Sequence, residues 1–487
     1  LILTIRMFLV SNADTLRQLH QDHLSNYNTQ EQQAIELMGL LNKLYNEQDV
    51  QVTLFGDTLD THSVGQILAL HQQVALRDQG AHAIDIADTL AMVKILADNK
   101  DIQATRVDVG QLIANDSDLQ AALQSINNDN AASNGATDVV LYGFGRIGRI
   151  LTRLLLSQAS SAKGLQLKAI VVRPAAAGDL AKRASLLERD SIHGSFAGGV
   201  VVDDENNGLI INGRFVQVIY AKDPSEIDYT AYGINDALVI DNTGIWKDED
   251  GLGKHLQSTG VKKVLLTAPA GGDIKNVVYG VNNDTVGDDT IVSAASCTTN
   301  AITPTLKVLN DEYGIENGHV ETIHSFTNDQ NLIDNYHKAD RRGRSAVLNM
   351  VITSTGAAKA VGKALPELSG KLTGNAIRVP TPNVSLAILN LNLKTAPASA
   401  DALNEFMRKV SNSSQWQTQI AYTDSTEAVS TDFVGDTHVG IVDAQATILT
   451  DNHAIVYIWY DNEVGYSTQV LRLATQMAGI SYAQIPA

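Results

Sequence analysis

"VVLYGFGRIGRILTRLL", residues 139–155, sets three glycines between an apolar, strand-like run and an amphipathic, helix-like one. Few folds accept that order. Gly143 would permit a tight turn after the strand. Gly145 would let the backbone come close to a ligand, and Gly148 would let strand and helix pack together. The free N–H groups and dipole of the helix start then favour an anion. The context predicts a dinucleotide's pyrophosphate on this loop and a parallel, doubly wound sheet around it. That fingerprint also asks for an acid at the end of the next strand, to bind the ribose hydroxyls. Here the next strand-like run, "LKAIVVRPAAAGD", ends in Arg173 and Pro174, and the nearest acid is Asp179. Arginine at that place could instead pair with the extra phosphate of NADP. The cofactor is therefore NAD or NADP.

The chain has 487 residues, which calls for two or three domains. Its single cysteine excludes an internal disulfide and a multi-thiolate zinc site, and it suits a reducing compartment. The opening "LILTIRMFLV" is too short to span a bilayer and lacks a cleavage signature, so a cytoplasmic location is expected. A net charge of −18 argues against nucleic acid and anionic membranes as partners.

Residues 13–127 read as helical. Thr29 with Gln32 forms a capping-box signature, and Ile35, Leu37, Met38, Leu40, Leu41 and Leu44 share a broad apolar face. His20 and His23 read as a solvated helix surface, because no third metal ligand accompanies them. "INNDNAASNGATD", 126–138, reads as a linker. Beyond it, short apolar runs alternate with helical patterns, and longer alternating stretches such as "SLAILNLNLK" follow. The expected architecture is an all-helical segment over 1–136, then an α/β Rossmann domain over 137–297. An α+β catalytic domain with an antiparallel sheet follows over 298–462. The C-terminal helix, about 463–487, returns to complete the Rossmann domain.

Cys297 lies in "AASCTTNAIT", between a strand-like run and a helix-like one. A thiol at a helix N-terminus has a favoured thiolate. Thiol catalysis also needs a base, and His324 in "VETIHSFTNDQ" is a candidate from another strand-like run. Further on come Arg341, Arg342 and Arg344, then Thr353 to Thr355, then Arg378. Arginine forks with hydroxyls make phosphate sites, although "RRGR" alone is equally a solvated face.

Taken together, "GFGRIGR", "SCTTNAITP", "HSFTNDQ", "STGAAKAVGKALPELSGKLTGNAIRVPTPNVS" and "WYDNEVGYS" strongly resemble glyceraldehyde-3-phosphate dehydrogenases over 138–487. The resemblance does not reach 1–136, and suggests the longer variety with an N-terminal extension. It implies that Cys297 attacks an aldehyde while His324 takes the thiol proton, and that inorganic phosphate then cleaves a thioester. Thr327 and Arg378 would hold the substrate phosphate. Ser296, Thr298, Thr355, Gly356 and Arg342 would hold the attacking phosphate, with Arg341 as the neighbouring alternative to Arg342. Gly145, Arg146 and Ile147 would line the pyrophosphate, Asn242, Thr243, Gly244 and Thr267 would pass the cofactor, and Asn462 would fix the nicotinamide amide. The stretch "ELSGKLTGNAIRVPTPNVS" would make subunit contacts in a homotetramer. Tyr142, Arg173-Pro174 and "DNTG" depart from the family's usual residues and bear on cofactor choice. Triose phosphate and inorganic phosphate are the implied small-molecule partners. Erythrose-4-phosphate dehydrogenase is the alternative enzyme, and a regulatory protein on a dehydrogenase scaffold is the alternative of another class.

Overall fold

The computed structural model describes residues 2–59, 63–77, 83–103, 105–117, 119–124, 136–157, 164–173 and 178–486, with backbone alone for 2–13, 75–77, 124 and 157. It divides into two compact units: residues 1–131 with 482–487, and residues 132–481. Most of the expected linker, 126–135, lies outside the described residues, as does Pro174.

A single helix, Ile2–Gln48, opens the first unit. Ala34, Leu37, Leu41 and Leu44 repeat at helical spacing and are buried, whereas Ile35, expected beside them, is exposed. Thr29 does not start a helix as its capping signature suggests. The helix runs through it, and its hydroxyl donates to the Ser25 carbonyl at 3.0 Å, a bond threonine readily makes inside a helix.

The expectation of an all-helical segment is also corrected, because a small sheet stands among the helices. Val50–Leu54 pairs in parallel with Thr105–Asp108 and antiparallel with Asp57–Thr58. The fourth strand, Ala483–Ile485, comes from the other end of the chain and pairs in parallel with Thr105–Asp108. The run "VQVTL" is too short to show a period, and its neighbours lie far away in sequence. Asp108 ties the sheet to its loops. Its carboxylate accepts from the Thr53 hydroxyl and from the N–H groups of Phe55, Gly56 and Gln111.

In the second unit one sheet has eight strands. Six are parallel, in the order Ile291–Ser293, Val261–Leu266, Ala237–Asp241, Ala136–Tyr142, Gly164–Val172, Arg214–Tyr220. Gly208–Ile211 and Val200–Asp203 extend one edge antiparallel. These strands read as apolar runs because helices cover both faces of a parallel sheet. The helix Val464–Met477 packs Tyr466, Val470, Leu473 and Met477 into this core, so the return of the C-terminal segment to this domain ends well before residue 487.

A seven-stranded sheet, built from Ile315 to Tyr460, carries a second core around Val320, Leu389, Val442 and Ile458. It is mainly antiparallel, but Ile315–Ser325 and Leu372–Val379 pair in parallel, as do Ile420–Thr423 and Gly440–Thr450 at the far edge. Among the described residues no helix is long and apolar enough to cross a membrane.

Candidate active site

The glycine loop has the shape its sequence predicts. Gly143 adopts φ +102° and donates its N–H to the Val171 carbonyl at 2.8 Å. A Cβ on Gly148 would stand 2.4 Å from the Gly143 carbonyl oxygen, so only glycine lets the helix Arg146–Ser157 start this close to the strand. A Cβ on Gly145 would meet nothing within 4 Å. That open side leaves the helix N-terminus accessible, so the loop fits a pyrophosphate.

The side chains around the loop play parts the sequence did not disclose. Arg146 turns away from the opening and pairs with both Glu463 and Asp190. Its guanidinium is thus committed to two carboxylates. Against the pull of burial, Arg146 and His193 hold the Glu463 carboxyl below its usual value. Ile147 packs into the core. The N–H and hydroxyl of Thr243 both donate to Asp241 at 2.7 Å, and the other Asp241 oxygen meets His255 Nε2 at 3.0 Å in a fully buried pair. The Thr267 hydroxyl donates to the Asp241 carbonyl at 3.0 Å. Buried Asn462 accepts from the Ser385 hydroxyl at 2.8 Å. Arg173 is exposed and lines a cavity of about 300 Å³ together with Gly143 and Gly145.

Cys297 is the first residue of the helix Cys297–Tyr313, whose cap is the Ser296 hydroxyl accepting from the Thr299 N–H at 3.0 Å. Asn300 steadies the turn by donating to the carbonyls of Ala294 and Ser296. Cys297 Sγ lies 3.5 Å from His324 Nε2. His324 ends the strand Ile315–Ser325, in register with Arg378 on the parallel neighbour. The Nδ1 of His324 is 2.7 Å from the Ser325 carbonyl, a partner that can only accept. Arg378 Nη1, which can only donate, lies 2.8 Å from the same Nδ1, so the two contacts pull the ring proton in opposite directions while Nε2 faces the sulfur. Arg378 donates to the same carbonyl at 2.8 Å.

Burial and the neighbouring Arg378 hold the imidazole down at about 3, against the Ser325 carbonyl. Burial likewise pushes the Cys297 thiol up, and Arg378 and Thr298 only partly offset it. Removal from water thus works against the thiolate that the helix start favours. Both shifts favour the thiol and the neutral imidazole over the ion pair.

The other expected side chains gather near this pair. Arg378 reaches the Thr327 hydroxyl at 3.5 Å. Thr327 and Arg342 both bind the Asp329 carboxylate, which thus stands among the groups expected to hold phosphate. Of the two adjacent arginines, Arg342 faces this cluster and Arg341 is exposed. The Nε atoms of Arg342 and Arg378 are buried without a hydrogen-bond partner among the described residues. Buried, unpaired guanidinium donors suit an incoming anion. Thr355 and Gly356 stand at the N-terminus of the helix Ala357–Ala364, where a Cβ on Gly356 would meet nothing within 4 Å. Thr298 is buried, and its hydroxyl meets that of Tyr460 at 3.0 Å. It supports Cys297 from behind the site.

The stretch 367–385, expected at a subunit contact, contains the strand Leu372–Val379, second from one edge of its sheet. Just before it stand several exposed large apolar side chains, among them Leu332, Ile333, Tyr336, Leu348 and Met350.

Comparison with known proteins gives a consistent result. The family model described as "Glyceraldehyde 3-phosphate dehydrogenase, NAD binding domain" matches residues 137–249, and the model of the C-terminal domain matches 296–462. A protein of Pseudomonas aeruginosa (strain UCBPP-PA14), named "Glyceraldehyde-3-phosphate dehydrogenase-like protein", is 51% identical over 462 residues. The match covers 92% of this chain and 100% of that one. Glyceraldehyde-3-phosphate dehydrogenase of Zymomonas mobilis is 41% identical over 70% of this chain and 99% of its own. The chloroplastic enzyme GAPB of Arabidopsis thaliana is also 41% identical, over 70% of this chain and 74% of its own.

Proposed function

This chain belongs to the glyceraldehyde-3-phosphate dehydrogenase family, and from that membership we propose that it oxidises glyceraldehyde 3-phosphate and captures the product as an acyl phosphate. The observation that carries the mechanism is the 3.5 Å contact between Cys297 Sγ and His324 Nε2, which puts a base within reach of the thiol proton. As the sulfur adds to the aldehyde carbon, His324 takes the thiol proton and then, charged, steadies the oxygen of the hemithioacetal. Bound NAD or NADP supplies the hydride acceptor. Oxidation leaves a thioester on Cys297, which conserves energy that hydrolysis would lose.

Arg378 and Thr327 hold the substrate's phosphate, and Arg342, Ser296, Thr355 and Gly356 receive inorganic phosphate. Two buried guanidinium Nε atoms without partners support this division. Asp329 must then give up its hold on Thr327 and Arg342, or share it, when phosphate enters. The exposed apolar side chains over 332–350 support a homotetramer, which measurement of the mass in solution tests.

The deciding assay follows reduced cofactor with glyceraldehyde 3-phosphate and with erythrose 4-phosphate, each with and without inorganic phosphate. Phosphate-dependent turnover that favours the triose is expected. Rates unchanged by omitting phosphate would refute the acyl-phosphate step.

A further inference from the structure

Ser385 opens the strand Ser385–Leu393 and is buried. Its hydroxyl oxygen accepts from the Ser325 N–H at 3.1 Å, and its proton goes to Asn462 Oδ1 at 2.8 Å. One hydroxyl thus joins two parts of the site. Ser325 follows His324, and its carbonyl contacts both His324 Nδ1 and Arg378. Asn462 is the side chain expected at the nicotinamide, and its Nδ2 has no hydrogen-bond partner among the described residues. The chain enters Ser385 under strain. Val384, buried and β-branched, adopts φ +61°, which L side chains rarely take. The Ser325 hydroxyl donates to the Val384 carbonyl at 2.9 Å, a second tie between the same two segments. Strain of this kind persists where the surroundings over-determine it, and it gathers at ligand clamps. The backbone around Asn462 is held by other groups. The Asp461 carboxylate accepts from the N–H groups of Gly435, Glu463 and Val464, each at 2.8 Å. Glu463 pairs with Arg146 and meets His193 Nε2 at 2.9 Å. Ser385 therefore acts on the Asn462 amide rather than on its backbone.

We infer that Ser385 is a positioning residue for hydride transfer; this rests on the cofactor reading proposed above. Its hydroxyl engages the oxygen of the Asn462 amide and leaves Nδ2 to donate. The acceptor that such a donor recognises is the carboxamide oxygen of nicotinamide. An amide without this tie can turn end for end and offer its oxygen instead, because the two ends have nearly the same shape. By fixing the donor, Ser385 keeps one face of the nicotinamide ring towards the hemithioacetal carbon on Cys297. Because Ser385 is also bonded to Ser325, the hydride acceptor and the base His324 keep one register. No spacing of residues in the sequence marks Ser385 for this part.

Calorimetric titration of the full chain tests this without any turnover. It compares NAD with ADP-ribose, and NADP with 2′-phospho-ADP-ribose, pairs that differ only in the nicotinamide. The wild-type protein should bind its dinucleotide more tightly than the matching ADP-ribose. Ser385→Ala should cut that advantage roughly five- to tenfold, in keeping with one hydrogen bond, and leave the ADP-ribose affinity within about twofold. Ser385→Cys, which fills the space with a weaker donor, should show the same loss and serves where alanine destabilises the fold. Turnover of aldehyde deuterated at the reacting carbon reads the geometry separately. The label should appear on one face of the reduced ring in the wild-type protein and on both faces in the variants. A merely structural serine would weaken both members of a pair alike and keep the label on one face. That result, or an undiminished nicotinamide advantage, overturns this inference and leaves the cofactor reading intact. If the wild-type protein binds no member of either pair, the cofactor reading itself fails, and this inference with it.

Discussion

Replacing His324 with asparagine removes the proposed base while keeping a polar side chain of similar reach. In the structure the imidazole is neutral near pH 7, since burial and Arg378 hold it at about 3. The thiol is pushed up by burial, so it is protonated at that pH. Without Nε2 at 3.5 Å, the thiol proton must leave to water. Positioned general bases contribute roughly 10²–10⁴ in rate, equivalent to about 3–5 kcal/mol of barrier. His324→Asn should lower kcat by that factor. Alkylation of Cys297 by iodoacetamide, followed from pH 5 to 10, reads the thiol directly. In the wild-type protein the rate should climb with pH through a transition above that of free cysteine, about 8.5, with no plateau on the acid side. In the variant the climb should come at still higher pH, because the partner that accepts the proton is gone. Turnover within about threefold of wild type would refute the base assignment. An acid-side alkylation plateau in the wild-type protein would show a resting thiolate and refute the neutral pair.

Cys297→Ser should abolish measurable turnover and leave the circular dichroism spectrum unchanged; surviving turnover would remove Cys297 as nucleophile. Gly145→Ala should fold normally yet bind dinucleotide poorly, because its methyl fills the open side of the loop. Gly148→Ala should also lose stability, by roughly 1–3 kcal/mol in denaturant titration, since its Cβ meets the Gly143 carbonyl. Glu463→Gln should cost roughly 2–4 kcal/mol by breaking the pair with Arg146, and should raise KM for the dinucleotide because Asn462 is its neighbour.

What could be read from the residues was mostly local. The glycine loop and the thiol at a helix start depend on neighbours within a few positions, and each has a side-chain signature. Contacts between distant segments carry no such mark. Glu463 serves Arg146 across 317 residues, and Ser385 reaches Asn462 across 77. His324 and Arg378 were both singled out, but their side-by-side placement follows from one parallel register in a mostly antiparallel sheet. Thr29 misled for a local reason too. Its cap signature was sound, but nothing before it breaks the helix. The thiol's protonation turned on burial, which no spacing of residues displays.

The strand Ala483–Ile485 has a consequence for how the protein is made. Its partner Thr105–Asp108 leaves the ribosome about 380 residues earlier, which at ordinary synthesis rates is roughly 20–75 s. Through that interval the small sheet has one bare edge, with backbone donors and acceptors on offer to any passing strand. Only a chain translated as far as Ala483–Ile485 can cover that edge with those residues. Chains interrupted before Ala483–Ile485 therefore keep an open edge to which another strand can add.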